Sequence, residues 1–344
     1  MGRPVYDRVE DLIAAVAGGR PWRLEPLNQH VDGVSGATFD QLVIGGAAGE
    51  GERRYFVKHI GRDLDWIMRV TGDAEHGTRP RALIVWSEGL LDRLPREIDH
   101  VLVGMAYAPR VGRLDQISRD VSPAMVPAGT GRVPLTQHRR FLEHLAAMHV
   151  AYWGFVDTFG LTTAEQRYRF AHPSMAAQEA AAGHHDPVPQ LQPPGWVAAH
   201  ALAGAATEAA LAVAADPTPL ALAMAEGPQT LIHGDWKFGN LGTLPDGRTV
   251  LLDWAWPGQG TPCADLAWYL GVNCDRLPES KEDAIAAYRD ALERRGIDTS
   301  PWWQRQLDLA MLGAFVLLGW SKAGDPAEFG WWTETVLRTA GTLR

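Results

Sequence analysis

The feature that most constrains this chain is a short polar segment enclosed by apolar runs. The segment reads His233-Gly-Asp-Trp-Lys-Phe-Gly-Asn240 and directly follows the apolar pair Leu231 and Ile232. A second apolar run, Leu251-Leu-Asp253, ends in an aspartate. Because β-forming residues flank the turn sequence Pro245-Asp-Gly-Arg248, the pattern predicts a hairpin that carries polar side chains from both strands to one edge of a cleft.

Those polar side chains are suited to phosphoryl transfer. Asp235 can accept the proton of an attacking hydroxyl, and Asn240 and Asp253 offer oxygen ligands for a Mg²⁺ ion that bridges ATP phosphates. Lys237 can meet the negative charge that develops on the transferred group. The alternative is that these residues only form turns by satisfying local backbone groups. The spacing of the whole set favours a catalytic site.

The N-terminal part of the chain carries two further candidates for binding phosphate. Lys58 stands in the β-like run Tyr55-Phe-Val-Lys-His-Ile60, where a buried charge is costly unless it has a partner. Upstream, residues 33–38 are small enough for the backbone to lie close over phosphates, and this loop includes Ser35 and Gly36. Taken alone, the first feature is typical of an exposed strand lysine and the second of an ordinary turn. Because both features lie upstream of the polar hairpin, we favour a joint role for them in binding phosphate.

The order of patterns along the chain predicts a strand-rich part followed by a helical part. A helix is expected at residues 81–94, where Pro95 ends it, and another at residues 136–152. Later apolar residues, 309–320, are expected to form a buried helix, and prolines to bend the chain at 187–194. Strands are expected at residues 39–44, 54–60, 100–107 and 113–121. We therefore divide the chain into an N-lobe, residues 1–118, and a C-lobe, residues 119–344.

The composition argues against several functional classes. A net charge of −9 disfavours a nucleic-acid-binding protein, which needs a basic surface. Two cysteines, Cys263 and Cys274, are too few for a disulfide framework or a four-ligand zinc site, and they suit a reducing compartment. No apolar run reaches the roughly 20 residues that span a bilayer. We expect a cytoplasmic protein without a membrane partner, and its oligomeric state stays open.

In the residues and spacings described above, the chain resembles the aminoglycoside phosphotransferase and choline kinase family of the protein-kinase-like superfamily. The resemblance implies an α+β, bilobal, protein-kinase-like fold, with a small antiparallel-sheet N-lobe and a larger, mainly helical C-lobe. It implies that Asp235 is the catalytic base and that Asn240 and Asp253 bind Mg²⁺. It also implies that Lys58 binds the α- and β-phosphates of ATP, with Ser35 in the loop that covers them. GTP is not excluded as the phosphate donor.

The resemblance further implies partners for the nucleotide site. A glutamate on the N-lobe helix should pair with Lys58, for which Glu88 is our choice and Glu75 the alternative. Arg119 and Val121 lie in the segment that resembles the kinase hinge, where the backbone binds adenine.

Three segments of the C-lobe resemble structural parts of the family. Residues 145–149, Leu-Ala-Ala-Met-His, resemble the helical motif that often precedes the catalytic loop. His233 would order that loop and would not act as a base. Asp265, in Pro262-Cys-Ala-Asp-Leu-Ala267, resembles an aspartate at a helix start that caps exposed N–H groups.

The segment after Asp253 distinguishes two kinds of kinase. Asp265 follows only twelve residues later and no Ala-Pro-Glu is present, so there is no room for the activation loop and peptide platform of a protein kinase. In related small-molecule kinases, a helical insert like that at residues 167–227 builds the acceptor pocket. The carboxylates of this insert are sparse for binding a polycationic aminoglycoside: Glu179, Asp186, Glu208, Asp216 and Glu226.

The predicted activity is therefore ATP-dependent transfer of the γ-phosphate to a hydroxyl of a small molecule. The leading acceptor is an antibiotic or related natural product, which makes the protein a resistance or self-resistance kinase. The alternatives are a metabolic sugar or amino-alcohol kinase, a protein kinase, and a catalytically silent nucleotide-binding regulator. Several tryptophans either form aromatic walls for the acceptor or pack the core: Trp153, Trp196, Trp236, Trp254 and Trp256.

Overall fold

The computed structural model describes residues 2–27, 35–46, 51–61, 64–70 and 79–343. In chain order, the strands are β1 (Val5–Tyr6), β2 (Trp22–Pro26), β3 (Thr38–Ile44), β4 (Arg53–Gly61), β5 (Ile98–Asp99), β6 (Leu102–Ala108), β7 (Arg113–Arg119), β8 (Thr230–Ile232), β9 (Leu241–Thr243), β10 (Thr249–Leu251) and β11 (Gly258–Gly260). The helices are α1 (Val9–Ala17), α2 (Trp66–Val70), α3 (Arg81–Ser87), α4 (Leu135–Ala151), α5 (Ala164–Arg169), α6 (Pro173–Ala181), α7 (Pro187–Leu202), α8 (Gly204–Ala215), α9 (Thr218–Ala225), α10 (Pro262–Val272), α11 (Lys281–Arg294), α12 (Trp303–Lys322) and α13 (Pro326–Ala340). The predicted α+β organisation, with strands first and helices after, is confirmed.

The strand-rich part is a six-stranded sheet in the order β1-β6-β7-β4-β3-β2. Strands β3 and β4, which match the strands predicted at residues 39–44 and 54–60, pair antiparallel. Helix α1 covers one face of this sheet, where its Leu12 and Ile13 are buried with Val57 of β4. Side chains alternate between the two faces of a strand, so Lys58 projects from the opposite face. The sequence did not predict α1, nor the parallel pairing of β1 with β6.

The predicted helix at residues 81–94 is too long. Helix α3 ends at Ser87, and Gly89 has a φ of +69°. This left-handed conformation suits glycine, which lacks a Cβ, and it ends a helix. The rest of the predicted helix is a separate 3₁₀ turn at Leu90–Arg93.

The predicted proline-rich bend is also wrong, because α7 continues through Pro193 and Pro194. Two prolines in the second turn remove the N–H groups that would bond to the carbonyls of Pro189 and Gln190, so they weaken the helix locally. Further along α7, the side chain of Trp196 is buried, and its Nε1 donates to the carbonyl of Ala171 at 3.0 Å. Tertiary packing therefore outweighs the local preference for a break.

The helical part is built around α12, which packs against α7, α10 and α13. Its central side chains, Leu309, Leu312 and Phe315, are buried, as predicted for residues 309–320. Helix α4 also occupies the predicted position within one residue at each end. No helix in the described part of the chain is long and apolar enough to cross a membrane.

Two small sheets carry the polar segment to the cleft. Strands β9 and β10 form the predicted antiparallel hairpin, and β5 pairs in parallel with β10. Strands β8 and β11 pair antiparallel and lie before and after this hairpin in the chain. The loop between β8 and β9 and the segment after β10 therefore lie side by side, where the strand-rich and helical parts meet. The division between residues 118 and 119 stays a prediction.

Candidate active site

The loop between β8 and β9 is held by a carboxylate from α10. The two oxygens of Asp265 accept hydrogen bonds from the backbone N–H groups of His233 and Gly234, each at 2.7 Å. Burial raises the pKa of Asp265, but the hydrogen bond and charge of His149 outweigh it and keep this pKa below its usual value. Asp265 therefore binds the loop as an anion. It does not cap its own helix as predicted, because α10 already begins at Pro262.

Gly234 is required in this loop for two reasons. Its φ is +81°, and a Cβ placed there would lie 2.2 Å from the carbonyl oxygen of Trp256 and 2.4 Å from Nη1 of Arg167. The buried Arg167 guanidinium donates to that same Trp256 carbonyl at 2.6 Å and to the Gly234 carbonyl at 3.4 Å. Arg167 thus ties the loop to the segment before β11. This role of Arg167 was not predicted from the sequence.

His233 is fully buried beneath the loop. Its Nδ1 accepts a hydrogen bond from the backbone N–H of Asp235 at 3.2 Å. Burial lowers the pKa of the imidazole, so we expect it to be neutral near pH 7. This geometry supports the predicted structural role of the histidine.

Three donors surround the carboxylate of Asp235, which is 8% exposed. Asn240 Nδ2 and Lys237 Nζ each lie 2.8 Å from Oδ2. Trp268 Nε1 donates to Oδ1 at 3.1 Å. Burial lowers the pKa of Lys237, but the charge and hydrogen bond of Asp235 outweigh it, and the net shift is upward. The structure thus brings three predicted site residues together and adds Trp268, which the sequence analysis missed.

Asp253 faces this cluster from the segment after β10, and Lys58 reaches it from the sheet. Lys58 Nζ lies 3.0 Å from Asp253 Oδ1. Asp253 has a φ of +61°, an uncommon conformation that aspartate tolerates better than most residues. Burial raises the pKa of Asp253, but the charges of Lys58 and Lys237 outweigh it and hold this pKa below its usual value. The side chain is therefore an anion available to a metal.

The oxygen atoms of Asn240 and Asp253 fit a Mg²⁺ ion. The Asn240 carbonyl accepts the backbone N–H of Leu252 at 2.9 Å, which places the two segments side by side. The amide of Asn240 donates through Nδ2 to Asp235, so its Oδ1 is the atom left for a metal. Nowhere in the described part of the chain do three His, Cys, Asp or Glu side chains form a metal-binding group. A Mg²⁺ ion would thus take most of its ligands from phosphates and water, as it commonly does.

The predicted pairing of Lys58 with Glu88 is wrong. Glu88 lies at the end of α3, where its Oε1 pairs with Arg79 Nη1 at 2.7 Å. The helix ends just before Glu88, so the side chain does not project from a helical face as the prediction assumed. The alternative, Glu75, lies outside the described residues.

A carboxylate that the sequence analysis did not consider lies near Lys58. The buried Asp65 accepts the backbone N–H groups of Ile67 and Met68 at the start of α2. Burial raises its pKa, the charge of Lys58 lowers it and the charge of Asp253 raises it, with a net upward shift. Asp65 therefore contributes to the electrostatics of the Lys58–Asp253 pair.

The loop predicted to cover phosphates is only partly described, because residues 33 and 34 lie outside the described ranges. Gly36 has a φ of +89°, and a Cβ there would lie 1.9 Å from the carbonyl oxygen of Leu64 and 3.3 Å from Asp186 Oδ1. The carbonyl of Ser35 accepts the backbone N–H of Trp66 at 3.0 Å. The loop thus packs closely against the segment before α2 and against the helical insert, and only glycine fits at position 36.

The segment predicted to bind adenine begins at the end of β7. The backbone N–H of Arg119 donates to the Val101 carbonyl at 3.0 Å. The backbone N–H of Asp120 donates to the Arg54 carbonyl at 3.2 Å. The Arg119 side chain pairs with Asp99. Within the described residues, the N–H of Val121 has no such partner. A role of this segment in binding adenine therefore stays a prediction, with Val121 as the available donor.

Most carboxylates of the helical insert are already engaged. Arg69 Nη2 lies 2.7 Å from Glu179 Oε2 and 2.5 Å from Asp186 Oδ2, which joins α2 to the insert. Glu208 pairs with His200 at 3.1 Å, and Asp216 accepts the N–H of Thr218. Four of the five carboxylates of the insert therefore already have partners within the protein, which leaves fewer of them to bind a positively charged acceptor.

The tryptophans proposed as aromatic walls mostly pack the core. Trp196, Trp236 and Trp254 are buried, and Trp153 packs against Trp302 with the rings tilted by 52° and their centroids 5.9 Å apart. Trp256 is buried too, in edge contact with Phe170 at 4.6 Å between centroids. Core packing, the alternative considered for these residues, accounts for their positions.

Comparison with known proteins decides the family. Residues 116–298, just over half of the chain and including the whole β9–β10 hairpin, match the phosphotransferase enzyme family APH. The chain belongs to this family. It is accordingly a phosphotransferase of the small-molecule kinase type with a protein-kinase-like fold. A sequence comparison with curated proteins gives no match.

Two solved structures of one choline kinase support the fold assignment. The choline kinase LicA from Streptococcus pneumoniae has 13% identity to the chain and a TM-score of 0.51, over 97% of this chain and 96% of LicA. LicA in complex with AMP has a TM-score of 0.52 at the same identity and coverage. A thermostable mutant of aminoglycoside phosphotransferase APH(4)-Ia, in ternary complex with ADP and hygromycin B, has 14% identity and a TM-score of 0.48 over 97% of this chain and 98% of its own.

Proposed function

We propose that this phosphotransferase uses ATP and Mg²⁺ to phosphorylate a hydroxyl of a small natural product such as an antibiotic. The observation that carries the proposal is the convergence of Asp235 and Asp253, each next to a lysine, at one edge of the cleft. Family membership supports the reaction class, and the complex of LicA with AMP supports an adenine nucleotide as the donor.

The proposed roles follow from the positions of the side chains. Asp235 accepts the proton of the acceptor hydroxyl while its oxygen attacks the γ-phosphorus, and the bond to the β-phosphate oxygen breaks, releasing ADP. Lys237 lies beside Asp235 and can stabilise charge on the transferred group. Lys58 holds the α- and β-phosphates. Mg²⁺, when bound by Asn240 and Asp253, neutralises phosphate charge.

The remaining nucleotide contacts are proposed from the same fold. Ser35 and Gly36 lie in the loop that covers the phosphates, and the backbone of the Arg119–Val121 segment binds the adenine edge. The reaction is proposed to take place in the cytoplasm. The two free cysteines, Cys263 and Cys274, are consistent with such a reducing compartment.

The charge of the insert favours an acceptor without several positive charges. Arg69 pairs with both Glu179 and Asp186, so these two carboxylates already have a cationic partner within the protein. A sugar, nucleoside or polyketide hydroxyl fits this environment better than a polyamine does. Within the proposed class, the acceptor is therefore a natural product of low positive charge.

A direct test is a search for phosphorylated products. The protein is incubated with Mg²⁺, ATP and pools of nucleoside antibiotics, aminoglycosides and sugars, and products that gain a phosphate are identified by mass spectrometry. We expect phosphorylation in pools of neutral acceptors and none in the aminoglycoside pool. ATP turnover with no phosphorylated small molecule in any pool would contradict the proposal.

Replacement of Lys58 by alanine should weaken the use of ATP without unfolding the protein. A hydrogen bond to a charged group contributes about 1.5–3 kcal/mol, so we expect kcat/KM for ATP to fall by roughly 10- to 100-fold. Arg53→Ala, at an exposed position of the same strand, is the control. A folded Lys58→Ala protein with unchanged kcat/KM would show that the lysine only occupies a strand face.

A further inference from the structure

The third donor to Asp235, Trp268, has no role in the reaction as described so far. Its indole Nε1 donates to Asp235 Oδ1 at 3.1 Å. Trp268 lies three residues after Asp265 in α10, so both side chains project from the same side of that helix. Helix α10 therefore contacts the loop between β8 and β9 through two side chains. Asp265 binds the backbone of residues 233 and 234, and Trp268 binds the side chain of residue 235.

The other two donors bind Oδ2 of Asp235, and each has a second role in the proposed reaction. Lys237 Nζ and Asn240 Nδ2 approach Oδ2 of Asp235. Lys237 has to turn towards the transferred phosphoryl group, and the amide plane of Asn240 is set by the metal that its oxygen binds. A carboxylate held only by such shared donors can rotate about its Cβ–Cγ bond, which has a broad torsional preference.

We propose that Trp268 is a positioning residue for Asp235. The inference rests on the proposed function. The indole N–H occupies Oδ1, so Oδ2 faces the acceptor hydroxyl once Lys237 has turned to the phosphate. Because an indole is a neutral donor, it orients the carboxylate without competing for the phosphate charge. Its ring is rigid and partly buried in α10, so it holds this direction throughout the reaction.

The surroundings of the ring determine how this contact is tested. Trp268 borders a pocket of about 10 Å³ together with Gly234, Asp265 and Leu317. A phenylalanine at this position would enlarge the pocket enough for one water, which could replace the lost donor. The sharper variant is therefore β-(3-benzothienyl)alanine at position 268, incorporated through a reassigned codon. It keeps the shape of tryptophan and has sulfur in place of the N–H group.

The experiment compares wild-type protein, Trp268→Phe and the benzothienyl variant. Thermal unfolding, the Kd for MgATP, and kcat and KM for MgATP turnover are measured, with water as the acceptor and with any acceptor from the metabolite search. Trp331→Phe is the matched control, because its indole N–H also donates to a carboxylate, that of Glu282, on the exposed surface. We expect the benzothienyl variant to lose roughly 10- to 100-fold in kcat, since a hydrogen bond to a charged group is removed. The melting temperature, the Kd and KM should stay within twofold of wild type.

The outcomes separate this inference from the proposed function. Wild-type turnover together with a benzothienyl variant of unchanged kcat would overturn the role of Trp268 alone. A parallel fall in kcat, nucleotide affinity and melting temperature would also overturn it, because it would show a structural role. A wild-type protein without ATP turnover would overturn the proposed function itself, and with it the base that Trp268 positions.

Discussion

Asp235→Asn is expected to abolish most turnover while leaving nucleotide binding intact. The amide cannot accept the proton of the acceptor hydroxyl, and general-base catalysis of this kind contributes roughly 10²- to 10⁴-fold to the rate. We therefore expect kcat to fall by at least about 10²-fold, with the Kd for MgATP within a few-fold of wild type. Steady-state kinetics and calorimetric titration of MgATP measure the two quantities. Added Mg²⁺ should not restore the rate.

The structure gives a reason to expect this variant to fold. The loop backbone is anchored by Asp265 and Arg167, and these anchors remain when residue 235 is replaced. The asparagine keeps nearly the same volume and one acceptor oxygen. Asp246→Asn, in the exposed turn of the same hairpin, is the matched control and should have wild-type kinetics. A rate close to wild type in Asp235→Asn would rule out the proposed base.

Asp253→Asn is expected to raise the requirement for Mg²⁺. A neutral amide oxygen is a weaker ligand than a carboxylate for this hard cation. Mutation of groups that only orient metal ligands typically costs 10- to 100-fold in affinity or activity, so a direct ligand should cost no less than about 10-fold. The measurement is the rate as a function of free Mg²⁺ at saturating ATP. High metal concentration should restore part of the activity.

Backbone strain should not complicate this second variant. Asp253 has a φ of +61°, and asparagine adopts the left-handed region as readily as aspartate does. The loss of the ion pair with Asp253 leaves Lys58, whose side chain is 15% exposed, with the carboxyl group of Asp65 nearby. Metal rescue of Asp235→Asn and not of Asp253→Asn would reverse the assigned roles. Activity near wild type in both variants would contradict the kinase reaction altogether.

The sequence predicted the parts of the site that depend on short chain distances. Asp235, Lys237 and Asn240 lie within six consecutive residues, and Asp253 follows across a short hairpin. A hairpin of this length has few possible geometries, so its pattern of strands and turn predicts which side chains meet. The amphipathic period of α4 and the apolar run of α12 predicted these helices for the same reason.

Contacts between distant residues could be predicted only where a family resemblance supplied the pattern. Lys58 was singled out from its strand, but its ion pair with Asp253 joins residues 195 positions apart. The choice of Glu88 failed because α3 ends at Ser87, and the length of a helix depends on packing as well as on propensity. Trp268 could have been noticed from its spacing of three residues after Asp265, although nothing local shows that its indole reaches a carboxylate.

The sequence by itself thus determined the polar segment of residues 233–240 as the candidate site, the order of strands and helices, and the class of fold. Only the tertiary structure decided which partners hold that segment: Asp265 and Trp268 from α10, and Arg167 from α5. The physical reason is that these bonds form between buried groups far apart in the chain. Their geometry depends on how α10 and α5 pack, and packing is a property of the whole core.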